Sequence, residues 1–524
     1  MIDDISKPVV IVIGLDGASW NILSPLIEQG KLPFFKEILM KSAYGPLESI
    51  KPPMSVPAWK CYSTGKDPSD LGVYTFIKLD LKANRYEVVS SMDFDDKDIW
   101  DYLGLYGYTS CVYKMFSTHP TRKIHGIMIS DLPINTKGFY PRQLKSEIEK
   151  RFGSLWIDFE YTTNREKTYY NALEGTKKDF EVMKYILKKY SPNFVHISIY
   201  HTDGIQHFFW KDMTDGKNKY SKFIEKAWIT ITEYIEGFIG YLKEIYKDDF
   251  YLFFISDHGF TSVNYRFNMG KWLLERKYIT LKPIGKLYGF IQKFLSVDRL
   301  YKLIELFLKV ATKLRIKRFT WGIQFQLASA TLGKVIDFKR SKIIPLEGSI
   351  LYVNRAHFRT KKERDLFVSK VIEELKSIRT PDGSKLAKDV IDGHKLYKNK
   401  KRHVPDILIV PNSVDLNNSV LTKYLWSKPP ENKWTGMHDL YGIIIVKGPN
   451  IKKQYKLDNV RIIDIAPTIL HIFGIPKPTS MRGRVIEEIF EDYDQSKKFR
   501  QKPQSFEQIL VKQKIKSLKK LGVL

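Results

Sequence analysis

The chain has 524 residues, and its 43% hydrophobic and 14% aromatic content excludes a disordered, collagen-like or low-complexity protein. Lys and Arg number 86 against 58 Asp and Glu, and the resulting net charge of +28 favours an anionic partner such as a phosphorylated small molecule, a nucleic acid or an acidic membrane face. The two cysteines form no disulfide framework, and no apolar run approaches the roughly 20 residues of a membrane span, so we expect a cytoplasmic protein.

The first predicted element is a buried strand at residues 9–13, a run of Val and Ile that Gly14 ends. Asp16 would then lie just beyond the carboxyl end of this strand, where open α/β sheets place their chemistry. Residues 19–40 follow with helical spacing, which Gly30 and Pro33 interrupt.

Three later segments repeat the pattern of an apolar strand beside a polar loop. They cover residues 194–200, 251–255 and 442–446. Because these strands alternate with helical stretches, the sequence predicts an α/β fold with a mostly parallel sheet.

Acidic and histidine side chains accompany the ends of these strands. The set is Asp16, Asp203, His207, Asp257, His258 and His438. We expect His438 in a loop bounded by glycines before the strand at 442–446. Asp203 and His207 are four residues apart, so one helical turn would bring them to the same face. Mixed carboxylate and imidazole ligands suit zinc, manganese or iron.

Ser55 adds a hydroxyl to this set. It stands two residues before Pro57, and serine at a cap followed by proline in the first turn is typical of a helix start. A helix N-terminus attracts an anion through its free N–H groups and its dipole. The alternative interpretation is that Ser55 only caps the helix.

Composition divides the chain into four parts. We predict a catalytic core at 1–270 and 343–490, a basic helical insertion at 271–342 between its two halves, and a Lys-rich tail at 491–524. The insertion would supply substrate selectivity or rest on an anionic membrane surface, which would make the protein peripheral to the membrane. The alternative is a helical pair that covers the core with its lysines in solvent.

The sequence resembles the type I phosphodiesterase/nucleotide pyrophosphatase family of the alkaline phosphatase superfamily. The resemblance spans most of the chain outside the insertion and the tail, and its order and spacing are specific. The matching stretches are VIVIGLDGASW at 10–20, PPMSVPAWKCYSTGKDPSDLGVYTF at 52–76, HTDGIQHFFW at 201–210, ISDHGF at 255–260, WTGMHDLYGIIIVKGPNI at 434–451 and IIDIAPTILHIFGIPKPTSMRGRVI at 462–486.

The resemblance implies a three-layer α/β/α sandwich that holds two divalent metal ions, usually zinc. By this resemblance one metal would take Asp16, Ser55, Asp257 and His258, and the other would take Asp203, His207 and His438. Ser55 would be the nucleophile. The implied activity is hydrolysis of a phosphoester in a phosphorylated small molecule or a lipid-linked substrate.

Other functions remain open at the level of the sequence. A phosphomonoesterase, a phosphotransferase or a sulfatase would share the same core. Sulfatases of this superfamily carry an arginine two residues after the proline, where this chain has Trp59. Nucleic-acid binding would fit the charge, but no helix-turn-helix, zinc-finger or RNA-binding signature accompanies it. The sequence does not indicate an oligomeric state.

Overall fold

A large mixed sheet forms the centre of the computed structural model. The structure describes residues 7–80, 85–130, 138–155, 164–283, 335–397, 403–420, 422–429, 434–491 and 504–520. The central part of the predicted insertion, 284–334, lies outside the described residues, as does the first part of the predicted tail.

The strands are numbered in chain order. The first eleven are β1 (Val10–Leu15), β2 (Ala43–Glu48), β3 (Ile77–Asp80), β4 (Arg85–Val88), β5 (Ser110–Tyr113), β6 (Gly126–Ser130), β7 (Gly138–Tyr140), β8 (Phe194–Ile199), β9 (Tyr251–Ile255), β10 (Gly259–Ser262) and β11 (Tyr265–Asn268). The later ones are β12 (Ile343–Glu347), β13 (Ile350–Val353), β14 (Ala387–Asp392), β15 (Ile407–Pro411), β16 (Val414–Asn417), β17 (Trp426–Ser427), β18 (Gly436–Asp439), β19 (Tyr441–Lys447), β20 (Tyr455–Lys456) and β21 (Val460–Arg461).

The helices are numbered in the same way. They are α1 (Trp20–Glu28), α2 (Pro33–Leu39), α3 (Ser55–Thr64), α4 (Pro68–Leu71), α5 (Ile99–Leu105), α6 (Leu144–Phe152), α7 (Arg165–Tyr190), α8 (His201–Asp215), α9 (Phe223–Tyr246), α10 (Met269–Glu275), α11 (Lys361–Ser377), α12 (Gly393–Leu396), α13 (Ile465–Ile472) and α14 (Phe506–Lys520). Within the described part of the chain, no helix combines the length and the apolar character needed to cross a bilayer.

The central sheet has the strand order β20-β2-β19-β9-β1-β8-β5-β6-β7, with β21 also paired to β2. β1 lies between β8 and β9 and is parallel to both. β19 runs antiparallel to its neighbours β2 and β9, and β7 is antiparallel to β6. β5 is parallel to both β6 and β8, and β2 is parallel to β20 and β21, so the prediction of a mostly parallel sheet is confirmed.

Helices cover both faces of this sheet. Alternate residues of β1 point to opposite faces, as a strand requires: Ile11 and Ile13 pack with α1, α2, α7 and α9, whereas Val10 and Val12 pack with α3, α5 and α13. These two cores make the three-layer α/β/α sandwich. The predicted end of the first strand was wrong, because Gly14 lies inside β1, which continues to Leu15.

A smaller unit has its own core. Its sheet has the order β12-β13-β15-β14 and packs against α10 and α11. This core buries residues on both sides of the segment 284–334. They are Trp272 and Leu273 before the segment, and Val335 and Ile336 after it. A bridge between Leu281 and Ile336 brings the two flanks of that segment together.

Asp464 forms hydrogen bonds with backbone groups on both sides of α13. One carboxylate oxygen accepts the backbone N–H of Arg461 at 2.9 Å, and the other accepts that of Arg484 at 2.8 Å. Gly483 is needed beside it, because an added Cβ would lie 1.9 Å from the carbonyl oxygen of Ile463. This buried carboxylate therefore connects the start of α13 to the segment after it.

Replacing Asp464 with alanine should lower the free energy of unfolding by about 2–4 kcal/mol, because two backbone N–H groups would lose their partner. The measurement is urea denaturation followed by circular dichroism. Asp458→Ala, which removes an exposed carboxylate nearby, is the control and should change little. Equal effects of the two substitutions would contradict this role for Asp464.

Candidate metal centre

The candidate residues meet at one edge of the central sheet. Leu15, Ile199 and Ile255 end the adjacent strands β1, β8 and β9, and the register places Leu15 beside Ile199. Since these strands are parallel, the segments that follow them leave the sheet on the same side. They carry Asp16, Asp203, His207, Asp257 and His258.

Two predicted details of local structure can be compared with this arrangement. Asp203 and His207 both lie on α8, so the prediction that one helical turn aligns them is confirmed. His438 was expected in a loop, but it lies on the short strand β18. β18 pairs with β10 outside the main sheet, and His438 lies opposite Phe260 in this pair. Because β10 is far away in the sequence, the local pattern around His438 could not predict the strand.

The first group of polar atoms surrounds the His258 imidazole. Its Nε2 atom lies 3.1 Å from Ser55 Oγ, 3.3 Å from Asp257 Oδ2 and 3.4 Å from Asp16 Oδ1. All four side chains are buried. The structure thus brings together the four residues that the resemblance assigns to one metal.

The second group surrounds Asp203. Its Oδ1 atom lies 3.3 Å from His207 Nε2 and 3.5 Å from His438 Nε2. The two Nε2 atoms are 3.2 Å apart. The rings of His258 and His438 stack with their centroids 3.7 Å apart, so the two groups adjoin.

Backbone carbonyls fix the orientation of all three imidazoles. The Nδ1 atoms of His207, His258 and His438 lie 2.7, 3.0 and 3.2 Å from the carbonyl oxygens of Gly436, Gly259 and Pro53, respectively. A carbonyl oxygen only accepts, so each Nδ1 donates its hydrogen, and a neutral imidazole then directs its Nε2 lone pair inward. This is the arrangement that metal-binding histidines adopt.

The carboxylates leave unbonded oxygens at the same place. Asp16 Oδ1, Asp203 Oδ1 and Asp257 Oδ2 are buried and accept no hydrogen bond from any described residue. Buried polar atoms normally have partners, because an unpaired one costs about 1–3 kcal/mol or more. Three inward oxygens beside three inward nitrogen lone pairs are the donor set of a divalent cation.

The pKa values of the clustered side chains also indicate a cation site. Burial, with a contribution from the other two aspartates, raises the pKa of Asp16 well above its usual value, and burial also raises the pKa of Asp257 to about 7. Burial opposes ionisation of Asp203 too, but His207 and His438 hold its pKa well below the usual range. Burial lowers the pKa of His258, so this ring stays neutral.

The cluster divides into two overlapping candidate cation sites. Ligand atoms of Asp16, Asp257 and His258 lie within 4.8 Å of one another, and so do those of Asp203, His258 and His438. His258 belongs to both groups, whereas the resemblance assigned it to one. The residues present therefore fit divalent cations in both ligand type and position.

Ser55 does not occupy the cap position of α3. It is the first residue of α3, and the cap position before it is Met54, whose side chain makes no capping hydrogen bond. The Ser55 hydroxyl instead contacts His258. The interpretation of Ser55 as only a helix cap is therefore wrong.

Two further residues near the centre were missed by sequence reasoning. Trp59 contacts Asp16 and lies one helical turn after Ser55, which is a spacing that the sequence does contain. Glu347 comes from the smaller unit, accepts a hydrogen bond from Thr75 and interacts electrostatically with His438. Burial raises the pKa of Glu347 to about 7, and no local signal could have indicated its position.

The profile of the type I phosphodiesterase/nucleotide pyrophosphatase family matches residues 10–439. Because this match covers most of the sequence, the chain belongs to that family. It is therefore a phosphodiesterase/pyrophosphatase-like hydrolase. No curated protein matches the chain.

Solved structures share the fold at low sequence identity. Alkaline phosphatase PafA has a TM-score of 0.54 at 14% identity, over 93% of this chain and 100% of its own. Phosphonoacetate hydrolase from Sinorhizobium meliloti has a TM-score of 0.53 at 11% identity, over 89% of this chain and 95% of its own. Human ectonucleotide pyrophosphatase/phosphodiesterase 5 has a TM-score of 0.50 at 14% identity, over 92% of this chain and 99% of its own. The predicted fold class is thus confirmed.

Cation binding should strengthen as the pH rises from 6 to 8 and should release protons. The raised pKa values of Asp16 and Asp257 mean that the cation-free cluster holds a proton near neutral pH, and a cation must displace it. Calorimetric titration of Zn²⁺ in buffers of different ionisation enthalpy measures both quantities. Equal affinity at pH 6 and pH 8, without proton release, would contradict this expectation.

Proposed function

We propose that the protein hydrolyses a phosphodiester through a covalent phosphoseryl intermediate on Ser55, with two divalent cations bound in the cluster. The observation that carries this proposal is the contact of the Ser55 hydroxyl with His258, the residue shared by both candidate cation sites. Zinc is the proposed cation, and manganese and iron fit the same ligand types.

The cations would supply Lewis acidity, which lowers the pKa of a bound hydroxyl and stabilises charge on phosphate oxygens. Asp16, Asp257, His258 and Ser55 would hold one of them. Asp203, His207 and His438 would hold the other. The carbonyls behind the imidazoles keep each Nε2 lone pair directed at the cation.

Ser55 would carry out the first chemical step. Its Oγ atom would form a bond to phosphorus as the bond to the leaving alcohol breaks, and the hydroxyl proton would end on that alcohol. Water would then attack phosphorus, break the bond to Oγ, release the phosphate monoester and restore the Ser55 hydroxyl. The free N–H of Val56 in the first turn of α3, together with the helix dipole, would stabilise the non-bridging oxygens.

The substrate would be a phosphorylated small molecule. Murine ectonucleotide pyrophosphatase/phosphodiesterase 5, with a TM-score of 0.50 at 12% identity, has been solved in complex with AMP. A lipid-linked phosphodiester is an alternative of the same chemistry. Phosphomonoesterase, phosphotransferase and sulfatase activities use the same kind of core, and they form the second group of candidates.

Ser55→Ala should lower turnover of bis-p-nitrophenyl phosphate at least ~1,000-fold, because the nucleophile is removed while the carboxylate and imidazole ligands remain. The assay follows p-nitrophenol release and compares this diester with p-nitrophenyl phosphate and p-nitrophenyl sulfate. Ser69→Ala is the matched control, since Ser69 is equally buried and its hydroxyl has no partner among described residues. Full activity of Ser55→Ala would refute the mechanism, and faster monoester or sulfate turnover would favour the second group.

Metal analysis of the purified protein should find two cations per chain. Asp16→Ala and Asp203→Ala should each reduce the content to about one, because each removes a ligand from a different site. His394→Ala is the control, as His394 pairs with Asp406 in the smaller unit, and it should retain both cations. A single cation in the wild-type protein would contradict the two-site proposal.

A further inference from the structure

Trp59 lies directly behind the candidate metal centre. It is four residues after Ser55 on α3, so the helix directs both side chains toward the end of β1. The indole is completely buried. Neither the ligand set nor the proposed mechanism gives this residue a role.

The indole N–H contacts one oxygen of Asp16. Trp59 Nε1 donates to Asp16 Oδ2 at a distance of 3.4 Å. The other oxygen, Oδ1, is 3.4 Å from His258 Nε2 and accepts no hydrogen bond from described residues. The two oxygens of Asp16 thus have separate surroundings, one bonded to the indole and one facing the cation site.

Gly14 makes room for this contact. An added Cβ at Gly14 would lie 2.5 Å from the indole Cη2 atom, so only glycine leaves the ring in place. Gly14 lies on the same face of β1 as Val10 and Val12, which pack with α3, and Asp16 follows just beyond the end of the strand. The indole therefore lies along the strand, with its six-membered ring over Gly14 and its N–H at Asp16.

Two aromatic neighbours also pack against the indole. Tyr62 and His196 contact the indole edge-to-face, with centroid distances of 5.8 and 5.5 Å. His196 is itself held by hydrogen bonds with the Tyr62 hydroxyl at 3.2 Å and Ser198 Oγ at 2.7 Å. This packing prevents the indole from turning away from Asp16.

Other ligands are oriented by backbone groups. Carbonyl oxygens hold His207, His258 and His438, and the backbone N–H of Gly17 lies 3.4 Å from Asp257 Oδ1. For Asp16 the corresponding hydrogen bond comes from a side chain, the indole N–H of Trp59. We infer that Trp59 is a positioning residue, whose N–H holds Asp16 with Oδ1 directed at the cation. This inference rests on the proposed cation site.

The test measures Zn²⁺ affinity, by competition with a chromophoric chelator, in the full-length protein. Trp59→Phe keeps an aromatic ring but removes the N–H, and it should raise the dissociation constant at least ~10-fold. Trp100→Phe is the matched control, because Trp100 is equally buried and its N–H has no partner among described residues. Its affinity should stay within about twofold of wild type.

Gly14→Ala is the second variant, and it keeps the tryptophan while displacing the ring. Like Trp59→Phe, it should raise the Zn²⁺ dissociation constant. If circular dichroism shows that Trp59→Phe does not fold, the result for Gly14→Ala tests the inference. Wild-type affinity in the folded variants, or equal losses in Trp59→Phe and Trp100→Phe, would overturn the inference alone. A wild-type protein that binds no Zn²⁺ would overturn the cation site and this inference with it.

Discussion

Three carboxylates, each with a buried oxygen, meet at one edge of the sheet and are the constraint on which the site depends. Asp16, Asp203 and Asp257 each turn an unbonded oxygen toward the same place. Loss of solvent, with repulsion between the carboxylates, disfavours ionisation of Asp16 and Asp257 and raises their pKa values. Positive charge at the centre relieves both effects, and the fold supplies imidazoles whose Nε2 atoms face the centre.

The parallel arrangement of β8, β1 and β9 explains why these groups meet. Each strand is short, buried and apolar, so the hydrophobic cores on both faces hold the sheet rigid. The polar groups begin where the strands end, and their approach is therefore set by the register of the sheet. A rigid scaffold of this kind tolerates a charged cluster that a flexible loop would not hold together.

The smaller unit reaches the centre through polar contacts. Lys388 of β14 pairs with Asp439 at 2.5 Å, next to His438, and Thr75 bonds Glu347 at the end of β12. Solved relatives share the fold at identities of 11–14%. Substrate preference within such a shared fold depends on the groups around the site, and Glu347 is a carboxylate that interacts electrostatically with His438.

The sequence by itself determined the strand-and-helix alternation, the fold class and the set of polar residues. Apolar runs and turn residues are local signals, and they located β8, β9 and the helix of Asp203 and His207. The family motifs supplied the grouping of the ligands. These features depend on neighbours in the chain, so they can be inferred without coordinates.

Tertiary structure alone decided the contacts between distant segments. The pairing of β18 with β10, the sharing of His258 between two groups and the approach of Glu347 all join residues far apart in sequence. The same holds for Gly14, which was interpreted as the end of a strand and instead makes room for Trp59. Such contacts follow from the packing of whole layers, and local sequence patterns carry no information about which side chains those layers bring together.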